Sequence, residues 1–191
     1  MYWRITTSVL AFFLVSSLAS VPASVSQPDS DVRWEVLYQL DALYAKMIGL
    51  AEAVPGERYG WRPEPGVRSF SDVFTHVAET NYFLMGEVIG REVPASAEET
   101  FTAEGSTGIW EEQITEKEAV LRKLRASRRY VRRTIDTLDR ERLPEPVDWF
   151  DPEFDNTVRG TLLHLLRHTG EHTGQLVAYA RVNGIVPPWS R

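Results

Sequence analysis

From residue 32 onward, apolar side chains recur three and four positions apart, the period of a helix with one buried face. In the first such stretch they are Val36, Leu37, Leu40, Tyr44, Met47, Ala51 and Val54. The spacing predicts a helix over 32–54, stopped by Pro55-Gly56, with Pro63 and Pro65 keeping the next stretch irregular. A second helix starts at a Ser69 or Ser71 cap and ends near Gly90, with Phe70, Val73, Phe74, Val77, Leu84 and Val88 on one face. Residues 92–106 show no period and predict a loop. A third helix is expected over 108–138, turning Ile114, Leu121, Leu124, Val131, Ile135 and Leu138 inward. Residues 143–157 form an acidic, proline-rich connection. Asn156 or Thr157 caps a fourth helix that runs to about Asn183, where Gly184 suits the left-handed position past a helix end and Pro187-Pro188 forbid continuation. No stretch alternates with period two for long enough to form a sheet. The pattern predicts an all-α protein, a four-helix bundle.

Residues 1–23 follow a different rule. Arg4 precedes an apolar run, Val9 to Leu18, and Val21-Pro22-Ala23 offers small residues for a signal peptidase. The run is about half of the ~20 residues a spanning helix needs. No cysteine follows it, so a lipoprotein anchor is excluded. We expect a signal peptide over 1–23, a linker over 24–31 and one domain over 32–191. The mature chain is then secreted or periplasmic, starts near Ser24 and keeps no stable membrane anchor.

Composition narrows the chemistry. With 43% hydrophobic and 25% charged residues, the chain has material for one domain with a core, and is neither collagen-like nor wholly disordered. The absence of cysteine excludes disulfides, thiolate metal sites and a cysteine nucleophile. Half of the mature chain's 20 basic residues lie between Lys117 and Arg142, but 27 acidic residues outnumber them. With no aromatic among them beyond Tyr130, the basic run predicts a solvated helix face and no nucleic-acid partner. The tryptophans and tyrosines are expected in the core and at bundle ends. Trp149 and Phe150 offer a face for a homodimer.

Candidate chemistry rests on histidine. Of the four in the chain, His164, His168 and His172 recur at four-residue spacing in the fourth helix. Each lies about 40° around the helix from the last, which brings His168 and His172 to the border of the face formed by Leu162, Leu165, Leu176 and Ala180. Imidazoles at i and i+4 can reach one cation, their Cβ atoms being about 6 Å apart. His76, beside Val73 and Val77, borders the core of the second helix and supplies a third ligand. Three neutral imidazoles leave a coordination position open for water or substrate, the pattern of a catalytic rather than a closed structural site. His164 drifts to the edge of the face and belongs to the surroundings. Gln175 is a candidate to orient a bound ligand or a histidine from behind, Tyr179 to contribute a hydroxyl, and Asn81, inside the apolar face of the second helix, is a buried amide that needs a partner.

His168-Thr169-Gly170-Glu171-His172-Thr173-Gly174-Gln175, followed by Leu176, Tyr179, Arg181, Gly184 and Pro187-Pro188, resembles the C-terminal signature of the DinB/YfiT-like family. Tyr59-Gly60-Trp61-Arg62-Pro63, the Ser69 region and His76 are similar to that family's stretch before and within its second helix. The resemblance spans about residues 32–189. It implies a four-helix bundle that binds one divalent metal, zinc or nickel, through His76, His168 and His172. It also implies a small-molecule substrate, with thiol S-transfer and mycothiol-dependent isomerisation among the family's activities. The leader is the departure, since low-molecular-weight thiols are mainly cytosolic. Two other readings use the same residues. His168-x-x-Glu171-His172 is also the inverted zincin pattern, in which Glu171 is the general base of a metallohydrolase. The third reading is a metal-binding module without turnover.

Overall fold

The computed structural model describes residues 31–94, 115–148 and 156–190. Four helices carry the fold: α1 (Val32–Ala53), α2 (Phe70–Phe83), α3 (Lys117–Asp136) and α4 (Val158–Val182). Three of them begin on a side chain that satisfies an amide the helix leaves unpaired. The Asp31 carboxylate accepts from the Arg33 amide, and the Thr157 hydroxyl from the Gly160 amide. Ser69 makes the full capping box: its hydroxyl accepts from the Asp72 amide at 3.2 Å, and its own amide donates to Asp72 Oδ2 at 2.7 Å. The end of α1 is closed from another helix, as Lys117 Nζ donates to the carbonyls of Glu52 and Val54.

Contacts between helices fix the topology. The ring of neighbours runs α1, α4, α2, α3 and back to α1, so α1 and α2 lie on one diagonal. Glu79 meets Lys123, Asn81 meets Ser127 and Tyr82 stacks on Tyr130, so α2 and α3 run in the same direction. Glu52 meets Arg125, while Asp41 meets Arg128 and Arg132 further along, so α1 and α3 run in opposite directions. Phe70 packs on Tyr179 and His76 on His172, which sets α2 against α4. Up, down, down, up is the result, and a parallel α2–α3 pair requires a long crossover between them. The inward faces expected from periodicity are buried on every helix, from Leu40, Phe74 and Leu124 to Leu165 and Leu176.

The structure departs from the periodicity in four places. Helix α3 begins at Lys117, since Thr115 and Glu116 are not helical; residues 108–114, with Ile114, lie outside the described residues. Helix α2 reaches Gly90 only by widening into a π turn over Leu84–Val88. There a Cβ on Gly86 would stand 2.4 Å from Val93, so the returning chain crosses the helix where it has no side chain. The connection before α4 holds a two-residue antiparallel ladder, β1 (Pro146–Val147) with β2 (Asn156–Thr157); Trp149 and Phe150 lie outside the described residues. Finally, Tyr38 stands 75% exposed on α1, neither in the core nor at an end. The leader 1–23 and the linker residues 24–30 lie outside the described residues, Asp31 serves as the cap of α1, and no helix among those described is long and apolar enough to cross a membrane.

Helix α4 ends as its sequence predicts. Gly184 has φ +72°, Ile185 N–H donates to the Ala180 carbonyl and Gly184 N–H to that of Arg181, the two bonds of a Schellman turn. A Cβ at Gly184 would meet no atom, so Gly184→Ala is expected to cost only the left-handed strain, about 1 kcal/mol. Gly174 is exposed in the helix interior with equally open space, and there Gly174→Ala is expected to gain about 0.5–1 kcal/mol. Urea unfolding of the two variants checks the opposite signs.

Candidate metal centre

The antiparallel seam of α2 and α4 brings His76, His168 and His172 together. Their candidate ligand atoms all lie within 4.8 Å of one another. The ring centroids are 4.9 Å apart for His76 and His172, 5.0 Å for His76 and His168, and 4.5 Å for His168 and His172. His76 Nε2 and His168 Nε2 face each other at 3.1 Å. Two nitrogens on a tetrahedral zinc, each ~2.0–2.1 Å from the ion, are about 3.3 Å apart. The pair therefore already stands at the spacing of two ligands of one cation. The donor set is three imidazoles without a carboxylate, which suits a borderline cation such as zinc or nickel and leaves its charge uncompensated.

The rings differ in how they are held. His172 donates from Nδ1 to Gln175 Oε1 at 2.8 Å, and Gln175 Nε2 donates to the Tyr179 hydroxyl at 2.8 Å. The Tyr179 ring is met edge-on by Trp61 and Phe70. His168 Nδ1 is buried with no hydrogen-bond partner, so its ring is fixed by packing and by the Nε2 contact.

Burial, and then the neighbouring imidazoles, depress the His168 pKa to about 2. Burial also lowers that of His172, against the bond to Gln175, which raises it. In both rings burial prevails and favours the neutral form that a metal needs. In the unfolded chain His168 takes up a proton as pH falls through about 6.5, whereas the folded chain resists down to about 2. Between those values the unfolded state binds more protons, so folding stability falls as pH falls. Chelator-treated protein is expected to lose melting temperature from pH 6.5 downward, and His168→Leu to flatten that slope; thermal scans across pH check it.

The other candidates stand elsewhere. His164 lies outside the cluster, its Nδ1 3.1 Å from Arg167 Nη2, with its ring stacked on His168 at 6.1 Å. Glu171 points to the exposed side, 56% accessible and paired with Arg167 at 2.7 Å, rather than toward the three rings. Asn81 is fully buried but faces away from the histidines, accepting from Tyr44 and donating to Ser127. Trp61, Phe70 and Tyr179, singly evident in the sequence, pack together as one aromatic group, which spacing along separate segments does not reveal. The basic run on α3 finds acids on its neighbours: Arg128 and Arg132 on Asp41, Arg125 on Glu52, Lys123 on Glu79.

Fold and site together define a four-helix bundle with a three-histidine cluster between two antiparallel helices. The family model of the DinB superfamily matches residues 39–176, and the chain belongs to that superfamily. A conserved protein from Enterococcus faecalis has a similar structure, with TM-score 0.66 and 17% identity over 78% of this chain and 95% of that one. A DinB-like protein from Bacillus cereus ATCC 10987 superposes with TM-score 0.60 and 14% identity, over 80% of this chain and 93% of that one. No curated protein matches.

Proposed function

We propose that this chain is an exported, metal-dependent enzyme of the DinB superfamily, holding one divalent cation at His76, His168 and His172 and acting on a small-molecule substrate. The observation that carries the reading is the convergence of three imidazoles from two helices within 4.8 Å. A zinc-type cation bound there lowers the pKa of a coordinated water to about 7 and holds a substrate thiol as thiolate. The chain's own part is to keep the imidazoles neutral by burial and to hold His172 through Gln175. The half-buried Trp61, packed on Tyr179 beside Gln175, offers apolar surface for the rest of a substrate. Thiol transfer is the candidate reaction that the family resemblance supplies, and hydrolysis with Glu171 as base is the weaker reading, because Glu171 is engaged with Arg167 on the outer face. The leader supports export, with a mature start near Ser24.

Metal analysis of the mature chain tests the cation, with about one equivalent of zinc or nickel expected; a chain that takes up neither overturns the reading. Monobromobimane consumption with several thiols tests transfer. Peptide cleavage lost in Glu171→Gln would replace it with hydrolysis. An N-terminus at Met1 would overturn export.

A further inference from the structure

We propose that Gln175, braced by Tyr179, is the positioning residue that commits His172 to presenting Nε2 to the cation, an inference that rests on the cation reading above. A neutral imidazole carries one hydrogen, on either nitrogen, and only the bare nitrogen can ligate. The choice is made by whatever partners the other nitrogen. Here the partner of Nδ1 is an amide oxygen at 2.8 Å, an atom that only accepts, so the hydrogen sits on Nδ1 and the lone pair on Nε2. Turned over, the same amide would set its NH2 against Nδ1, move the hydrogen to Nε2 and close the ligand atom.

Residues 172, 175 and 179 are three and four apart, so the chain of bonds runs along one stripe of α4. Its far end is set by packing. Tyr179 is only 8% exposed, with Trp61 edge-on at 5.4 Å and Phe70 at 5.6 Å, and its oxygen accepts from Gln175 Nε2. A hydroxyl can serve either polarity, so Tyr179 fixes where the amide stands, and the amide oxygen that faces Nδ1 fixes the tautomer of His172. A cation on Nε2 demands a hydrogen on Nδ1, and Gln175 Oε1 is where that hydrogen goes. His168, whose Nδ1 has no partner, lacks such a device.

The test uses the full mature chain with Gln175→Leu, Gln175→Glu and Tyr179→Phe. Zinc affinity is measured by competition with a chromophoric chelator, and the His172 tautomer by long-range proton–nitrogen NMR of chelator-treated protein. Gln175→Leu is expected to weaken zinc by about 10–100-fold and to mix the two tautomers. Gln175→Glu keeps the acceptor and is expected to restore wild-type affinity or exceed it, which a merely structural role would not predict. Tyr179→Phe is expected to fall between. Zinc affinity unchanged in Gln175→Leu, or Gln175→Glu as weak as Gln175→Leu, overturns the assignment. So does a wild-type His172 with its hydrogen on Nε2. If the wild-type chain takes up neither zinc nor nickel, the cation reading fails and the tautomer measurement alone decides the role of Gln175.

Discussion

A chain carrying His168→Ala is expected to bind zinc or nickel at least about 100-fold more weakly than the wild type, and to emerge from gel filtration without it. The magnitude follows from the ligand count. Structural zinc sites bind with about 10–16 kcal/mol over four ligands, so each ligand is worth about 2.5–4 kcal/mol, or some two to three orders of magnitude. Each of the three rings meets both of the others, at 4.5 to 5.0 Å between centroids, so the loss of His168 leaves only two ligands facing the cation. The same change should abolish stabilisation by added zinc, which for wild type at 100 times its Kd amounts to about 2.7 kcal/mol. His76→Ala should behave alike, since it removes the only one of the three that α2 supplies. His164→Ala should keep its metal, because that ring lies outside the cluster with Arg167 beside it. Competition with a chelator and thermal scans with and without zinc check all three variants. Unchanged metal content in both His168→Ala and His76→Ala would leave the cluster without a role as a ligand set.

What the sequence disclosed, it disclosed one helix at a time. A period of three and four marks which face of a helix is buried, and Leu40, Phe74, Leu124 and Leu165 stand where that rule puts them. The same rule placed His168 and His172 on one border and Gln175 and Tyr179 along the same stripe, so the polar chain of α4 was legible as spacing. Geometry between helices is another matter. The direction of α2 against α4, which sets His76 opposite His172, comes from the closure of the whole ring of helices. Asn81 shows the limit: its position predicted a buried amide needing partners, but only the fold reveals that they are Tyr44 and Ser127. The π turn of α2 was invisible because it depends on Val93 crossing at Gly86, a contact from beyond the helix. Glu171 was legible as well: helical spacing turns it about 60° from His168, toward the edge of the face, and the structure has it on the outer side beside Arg167.

Asn81→Leu is expected to destabilise the fold by about 2–4 kcal/mol, although the substitution is apolar, close in size and fully buried. The reason lies in what it leaves behind. Tyr44 of α1 donates its hydroxyl hydrogen to Asn81 Oδ1 at 2.7 Å, Asn81 Nδ2 donates to Ser127 Oγ of α3 at 3.0 Å, and Ser127 passes its own hydrogen to the Leu124 carbonyl. The Thr169 hydroxyl of α4 lies beside Tyr44, so one polar group from each helix meets at the centre of the bundle. Tyr44 and Asn81 are cut off from solvent, and the same burial holds the Tyr44 hydroxyl far above its ordinary pKa. Each donor or acceptor orphaned in such a place costs about 1–3 kcal/mol, more than a leucine gains from the same space. Removing the other partners as well should reverse most of the loss. Tyr44→Phe, Asn81→Leu and Ser127→Ala combined are expected to recover to within about 1–2 kcal/mol of wild type, because matched apolar replacement leaves nothing unsatisfied. Urea unfolding of the single and triple variants checks this, and a triple variant no more stable than Asn81→Leu alone would show that shape, rather than hydrogen bonding, governs the centre. Thr169 follows His168 in the chain, so a bundle that keeps this knot also keeps α4 in the register that delivers its imidazoles to α2.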